Sequence, residues 1–191
     1  MGTIVIPQSH VDKVEPMYDY SVSGNCEEWL YAVAKATRPT SFLEIGVRFA
    51  FSFLPVLYGA QETLKYAEGW DLETYGNLEV ATRNIKEHYT GNTEWVLKHL
   101  DSQQISELPQ FYDFVNIDGC HDYECKMHDL RLTVGHARYV LVDDFDYLTQ
   151  VRKAILDFLA EVGQYGTKES LIEWAAYLPT FRGSFLFKYK A

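Results

Sequence analysis

The sequence predicts an α/β fold, a doubly wound and largely parallel sheet that closes with a C-terminal antiparallel hairpin. Three observations carry this. Apolar runs of strand length alternate five times with segments of helical period before two final strands. Two of the runs, Phe114–Ile117 and Tyr139–Val142, end abruptly in acid, the first at Asp118 and the second at Asp143 and Asp144. Buried parallel strands read this way, apolar throughout with function at their carboxyl ends. The segment between them, Tyr123 to about Val134, is long enough for the crossover that parallel neighbours require.

Residues 1–24 have little periodicity and form an N-terminal arm or cap, leaving 25–191 as one domain. Asn25 or Ser23 is placed to cap a helix from Cys26 to Thr37, with Trp29, Leu30, Val33 and Ala34 on one face and Pro39 as its stop. Ser41–Ile45 is the first strand and runs into Gly46; Val47–Tyr58 reads as loop and then helix. Leu64–Trp70 is the second strand, ending at Asp71, and Asn77–Tyr89 an amphipathic helix stopped by Gly91. Glu94–His99 is the third strand, followed by Asp101 and Ser102, and a short helix is expected around Ile105–Leu108. After the two acid-ended strands, Leu148–Val162 places Val151, Ile155, Phe158 and Leu159 on one helical stripe. Ser170–Tyr177 and Ser184–Tyr189 then surround Pro179 and Gly183 as an antiparallel pair.

Composition narrows the function. A chain of 191 residues that is 47% hydrophobic and 15% aromatic can bury the core of one α/β domain. A formal charge of -10 disfavours nucleic acid, whose binding needs Lys and Arg to neutralise phosphates. No apolar stretch approaches the roughly 20 residues of a membrane span, and the N-terminus lacks the pattern of a signal peptide. Three cysteines, an odd number, suit a reduced cytoplasmic enzyme better than a disulfide scaffold.

The segment Glu44-Ile-Gly-Val-Arg-Phe-Ala-Phe-Ser52 occupies the first strand–turn–helix, where open α/β sheets hold nucleotide-like ligands. Gly46 allows a sharp turn and a close approach of backbone to ligand, and the next helix offers unpaired N–H groups. Asp71 ends the second strand and can accept hydrogen bonds from ribose hydroxyls. The three glycines of a dinucleotide fingerprint are absent, which favours a nucleoside without pyrophosphate.

These motifs carry a resemblance. LEIGVRFAFS, GWDLE, HLDS, DFVNIDGCHDY and VLVDDFD stand in the order and spacing of class I S-adenosylmethionine-dependent methyltransferases. IDGCHDY with the later VDD resembles the macrocin O-methyltransferase-like small-molecule enzymes, over about residues 26–146. The resemblance implies a Rossmann-like methyltransferase sheet, S-adenosylmethionine as cofactor and a small-molecule acceptor bearing a sugar or phenol-like hydroxyl. It places Glu44 and Gly46 at the methionine and ribose region, Asp71 on the ribose, and Asp101 and Ser102 near the adenine. Asp118 lies beside the methionine end and, in metal-using members, joins Asp143 and Asp144 as ligands for Mg²⁺. His121 matches the proposed general base. The chain is short for the metal-using members, so the substrate lid is either reduced or supplied by a second copy in a homo-oligomer.

The acid end has its own chemical logic. A divalent cation held by Asp118, Asp143 and Asp144 stabilises an alkoxide, oxygen-only ligation suits Mg²⁺, and His121 can take the hydroxyl proton. Against this stands the plain alternative that Asp143 and Asp144 cap the following helix and Asp118 bonds loop amides. The spacing of Cys120, His121, Cys125 and His128 does not match the paired-ligand patterns of zinc. One departure from the family matters: Ala50 replaces a second glycine in the cofactor turn. It keeps open a binding or regulatory protein without turnover, and the chain's other alternative is a different nucleotide-dependent enzyme.

Overall fold

The computed structural model describes residues 26–72, 77–163 and 168–190; the expected arm at 1–24 lies outside them. Seven helices and strands of the expected alternation become α1 (Cys26–Thr37), β1 (Ser41–Ile45), α2 (Phe53–Gly59), β2 (Tyr66–Asp71), α3 (Asn77–His88), β3 (Glu94–His99) and β4 (Tyr112–Ile117). They are followed by α4 (Tyr123–Leu132), β5 (Ala137–Val142), α5 (Thr149–Glu161), β6 (Ile172–Leu178) and β7 (Ser184–Tyr189). The strands form one sheet in the order β3-β2-β1-β4-β5-β7-β6. Only β7 runs against its neighbours, pairing antiparallel with both β5 and β6.

Side-chain alternation sends the strand residues to two cores. Phe42, Ala67, Phe114 and Leu141 pack under α1, α2 and α3, whereas Leu43, Val115, Val140 and Phe187 pack under α4 and α5. Each fully buried side chain such as Phe42 or Leu43 contributes roughly 1.5–3 kcal/mol. β1, β4 and β5 are covered on both faces, which explains their unbroken apolar runs.

Register sets the position of the functional rim. Ile45 pairs with both Trp70 and Ile117, and Ile117 with Val142. The residues that follow, Gly46, Asp71, Asp118 and Asp143, therefore stand in a row at the carboxyl edge. The chain winds outward from β1 through β3 and returns to β4, so this row spans the topological switch point.

One expected element differs. No helix forms around Ile105–Leu108; a single 3₁₀ turn occupies Ser102–Gln104 instead. Asp101 caps that turn by accepting from the Gln103 N–H at 3.0 Å, and Pro109 disfavours helical backbone at Leu108. Among the described residues no helix is long and apolar enough to cross a membrane.

Candidate active site

A cavity of about 520 Å³ opens above the row of strand ends, within the range of small-ligand pockets. One side of it begins at Gly46. There φ is +96°, and a Cβ would sit 2.5 Å from the Asp118 carbonyl oxygen and 2.6 Å from Gly119 Cα. The β1 and β4 turns thus touch backbone to backbone, a contact only glycine permits. The Gly46 and Val47 N–H groups donate to the Trp70 carbonyl at 2.9 and 3.1 Å, fastening this turn to the end of β2.

Asp71 is held in place at the rim. Its Oδ2 accepts from the Arg48 N–H at 2.7 Å and its Oδ1 from Asn77 Nδ2 at 3.4 Å. Asp101 and Ser102 line the same cavity. The 3₁₀ turn is pinned to α4 by Gln103, whose amide donates to Asp129 Oδ1 at 3.0 Å, and by His128 Nε2 at 2.9 Å from the Ser102 carbonyl.

Glu44 is different. It is fully buried beneath the turn and does not line the cavity. Asn116 Nδ2 donates to its Oε1 at 2.6 Å. Burial pushes its carboxyl up to about 8 against the opposing hydrogen bonds of Ser52 and Asn116. The structure thus separates Glu44 from Gly46, Asp71, Asp101, Ser102 and Asp118, which all face the cavity.

Ala50 adopts the left-handed backbone that glycine favours, with φ at +68°. Its methyl group is fully buried in the core under α1 and α2 rather than among the cavity-lining side chains. The turn survives because Ala50 N–H donates to the Val47 carbonyl and Ala50 O accepts from Leu54 N–H, at 2.8 and 3.1 Å.

At the acid end, Asp118, His121 and Asp144 each place a ligand atom within 4.8 Å of the others. Asp143 is not part of that group. Its Oδ1 accepts from Ser184 Oγ at 2.6 Å and its Oδ2 from Cys26 Sγ at 3.6 Å. The expected trio of aspartates is therefore split, with His121 standing where Asp143 was expected. The reason is tertiary: β7 and α1 supply donors for Asp143 that no local pattern announces. Neither carboxylate caps α5, whose N-cap is Leu148.

Asp144 is 1% exposed and has φ of +65°. His121 Nε2 lies 3.0 Å from its Oδ2, and Arg182 Nη1 3.3 Å from its Oδ1. Burial raises its carboxyl, yet His121 and Arg182 outweigh that and hold it below the ordinary value. Asp118 goes the other way. Burial and the charges of Asp143 and Asp144 push it well up, opposed by Lys126. Burial likewise raises Asp143, against the hydrogen bond from Ser184.

The donor set fits a divalent cation. Two carboxylates and an imidazole converge there, with His121 Nε2 3.0 Å from the buried Asp144 Oδ2. Of Cys120, His121, Cys125 and His128, the two cysteines converge beside Asp122, whereas His128 is drawn to the Ser102 carbonyl.

Sequence reasoning missed four contributors to this region. Cys26, Thr180 and Arg182 reach the cavity from α1 and the β6–β7 turn, and Lys126 is buried with its Nζ 3.4 Å from the Ile117 carbonyl. A lysine on the buried side of a crossover helix was a legible signal for the last. The others depend on long-range contacts, such as the Phe145 and Asp146 N–H bonds to Gly183 and Arg182 that draw the hairpin turn over the acids.

No family model and no curated protein matches this sequence. Solved structures do. An O-methyltransferase from Bacillus cereus in complex with SAH has TM-score 0.69 and 16% identity, over 96% of this chain and 88% of that one. The SAH-bound methyltransferase PaMTH1 of Podospora anserina has TM-score 0.64 and 13% identity, over 96% and 87%. TomG from Streptomyces achromogenes, an O-methyltransferase of tomaymycin synthesis in complex with SAM, has TM-score 0.65 and 16% identity, over 96% and 87%. The chain has the class I methyltransferase fold.

Proposed function

We propose that this protein transfers the methyl group of S-adenosylmethionine to a hydroxyl oxygen of a small molecule, of sugar or phenol type. The observation that carries the reading is the row Gly46, Asp71, Asp118 and Asp143 along one cavity at the switch point. The solved structures with bound SAM or SAH share this fold, and the buried methyl of Ala50 leaves the cavity free for such a ligand. The acidic charge of -10 supports a small acceptor over nucleic acid, and three unpaired cysteines support the cytoplasm.

In this reading Asp71 accepts the ribose hydroxyls, while Asp101 and Ser102 border the adenine. Asp118 flanks the methionine end. The sulfonium already carries a reactive methyl group, so the protein's main task is alignment of oxygen, carbon and sulfur. His121 takes the hydroxyl proton. Its Nε2 faces the Asp144 carboxylate, which leaves Nδ1 as the accepting nitrogen. Where a divalent metal is used, Asp118, Asp144 and His121 would hold it instead, and it would supply the stabilisation of the acceptor alkoxide in place of proton transfer to His121.

The test is calorimetric titration with S-adenosylmethionine and S-adenosylhomocysteine, in Mg²⁺ and in EDTA, followed by an acceptor screen with labelled donor. Micromolar binding and transfer to a hydroxyl support the reading. Absence of binding under both conditions overturns it. Equal transfer in Mg²⁺ and EDTA removes the metal from it.

A further inference from the structure

All three cysteines of this chain, Cys26, Cys120 and Cys125, line the one cavity described above. Cys26 is engaged with Asp143. The other two face each other across a short bend. Cys120 lies in the loop between β4 and α4, Cys125 in the first turn of α4, and their sulfurs lie within 4.8 Å of one another. Both are partly exposed.

We propose that Cys120 and Cys125 form a reversible disulfide that locks the loop carrying Asp118 and His121. The oxidant is a low-molecular-weight disulfide of the glutathione class. One thiolate of the pair attacks that disulfide, forming a mixed disulfide and releasing one reduced thiol. The second sulfur then attacks the mixed disulfide at the protein sulfur and releases the other thiol. The two thiol protons end on the two released molecules, and the protein pair loses two electrons to them.

The geometry gives the crosslink a mechanical consequence. A disulfide requires a sulfur separation of about 2.05 Å, so closure must draw the loop and the first turn of α4 together. The loop cannot slide freely to accommodate this, because Gly46 packs directly against the backbone of Asp118 and Gly119. α4 is held in turn by Gln103, whose amide lies 3.3 Å from the Cys125 carbonyl. Strain therefore falls on residues 119–122, which include His121. That the crosslink acts as a switch on catalysis rests on the methyl-transfer reading; the crosslink itself does not.

The test uses the full chain, treated with oxidised glutathione and then with dithiothreitol. Peptide mapping is expected to show a Cys120–Cys125 linkage, free thiols falling from three to one, and recovery of all three on reduction. Cys125→Ser is expected to give no internal crosslink. Hydrogen exchange of the 119–122 amides is expected to slow on oxidation of the unmodified protein and not of the variant. Three thiols after treatment, or only separate glutathione adducts, overturn the proposal. The crosslinked protein is further expected to bind S-adenosylmethionine about fivefold or more weakly than the reduced protein. Equal binding overturns the switch alone. Absence of binding in the reduced protein overturns the methyl-transfer reading and the switch with it, while the mapping still decides the crosslink.

Discussion

His121 Nε2 lies 3.0 Å from Asp144 Oδ2, and the opposite oxygen of that carboxylate faces Arg182 Nη1 at 3.3 Å. An exposed imidazole is thus oriented by a buried acid whose other oxygen is held by Arg182. In the proposed reaction Asp144 is a positioning residue, acting on the acceptor through His121.

Asp144→Asn preserves shape, and Asn tolerates the left-handed backbone at φ +65°. The substitution is expected to lower kcat by about 10- to 100-fold, by analogy with the loss of other orienting carboxylates, while donor affinity changes less than about twofold. His121→Ala is expected to cost about 10²–10⁴-fold in kcat. Steady-state kinetics with donor binding measured in parallel checks both. A loss confined to donor affinity would place the pair at the cofactor instead.

Gly46→Ala adds a methyl group 2.5 Å from the Asp118 carbonyl oxygen at a backbone of φ +96°. Left-handed strain of about 1–2 kcal/mol combines with overpacking of about 1–3 kcal/mol. The expected outcome is a lower melting temperature together with loss of donor binding, read by calorimetry and titration. An unchanged melting temperature would mean that the two turns can separate freely.

Ala50 poses the converse case. Ala50→Gly relieves strain of about 1–2 kcal/mol, but it loses about 0.8 kcal/mol of methyl burial and about 0.5–1 kcal/mol to unfolded-chain entropy. Stability should change by less than about 1 kcal/mol, and donor affinity by less than about twofold, because the methyl lies in the core. A large gain in donor affinity would show that this methyl group restricts the pocket.

Glu44 predicts a pH dependence of stability. Its carboxyl is raised from 4.5 to about 8, so the folded protein holds the proton more tightly than the unfolded chain. This contribution is fully present below pH 4.5 and is lost as the pH rises through about 8. It amounts to a few kcal/mol, at about 1.4 kcal/mol for each pKa unit. Denaturant melts at pH 5.5 and 8.5 should show lower stability at the higher pH. Glu44→Gln should shrink that difference without abolishing it, since Asp118 and Asp143 are raised too. An unchanged difference in the variant would assign the slope elsewhere.

The fold was legible because its signals are local. Unbroken apolar runs such as Phe114–Ile117 mark strands covered on both faces, and the acid after each run marks the edge where the covering ends. The 3₁₀ turn at Ser102–Gln104 was missed because its cap, Asp101, forms by a side-chain bond that outweighs the weak helical pattern of Ile105–Leu108. Asp71 ends its strand and Gly46, Asp101, Ser102 and Asp118 follow theirs, so all reach one rim by register alone. Strand-end position was not enough for Glu44, one residue inside β1, because side chains alternate between faces.

The sequence by itself determined the alternation of strands and helices, the parallel sheet with its final hairpin, and the row of glycine and acids at the carboxyl edge. These depend on period, length and apolar continuity, which each segment carries within itself. Only the tertiary structure decided how the acids are shared. Asp143 turns to Ser184 and Cys26, while Asp144 meets His121 and Arg182, although the two aspartates are adjacent in the chain. The partners come from elements 38 to 117 residues away, or across the sheet from the neighbouring loop. A buried carboxylate must find its donors wherever the packed chain supplies them, and no local pattern specifies which distant side chain that will be.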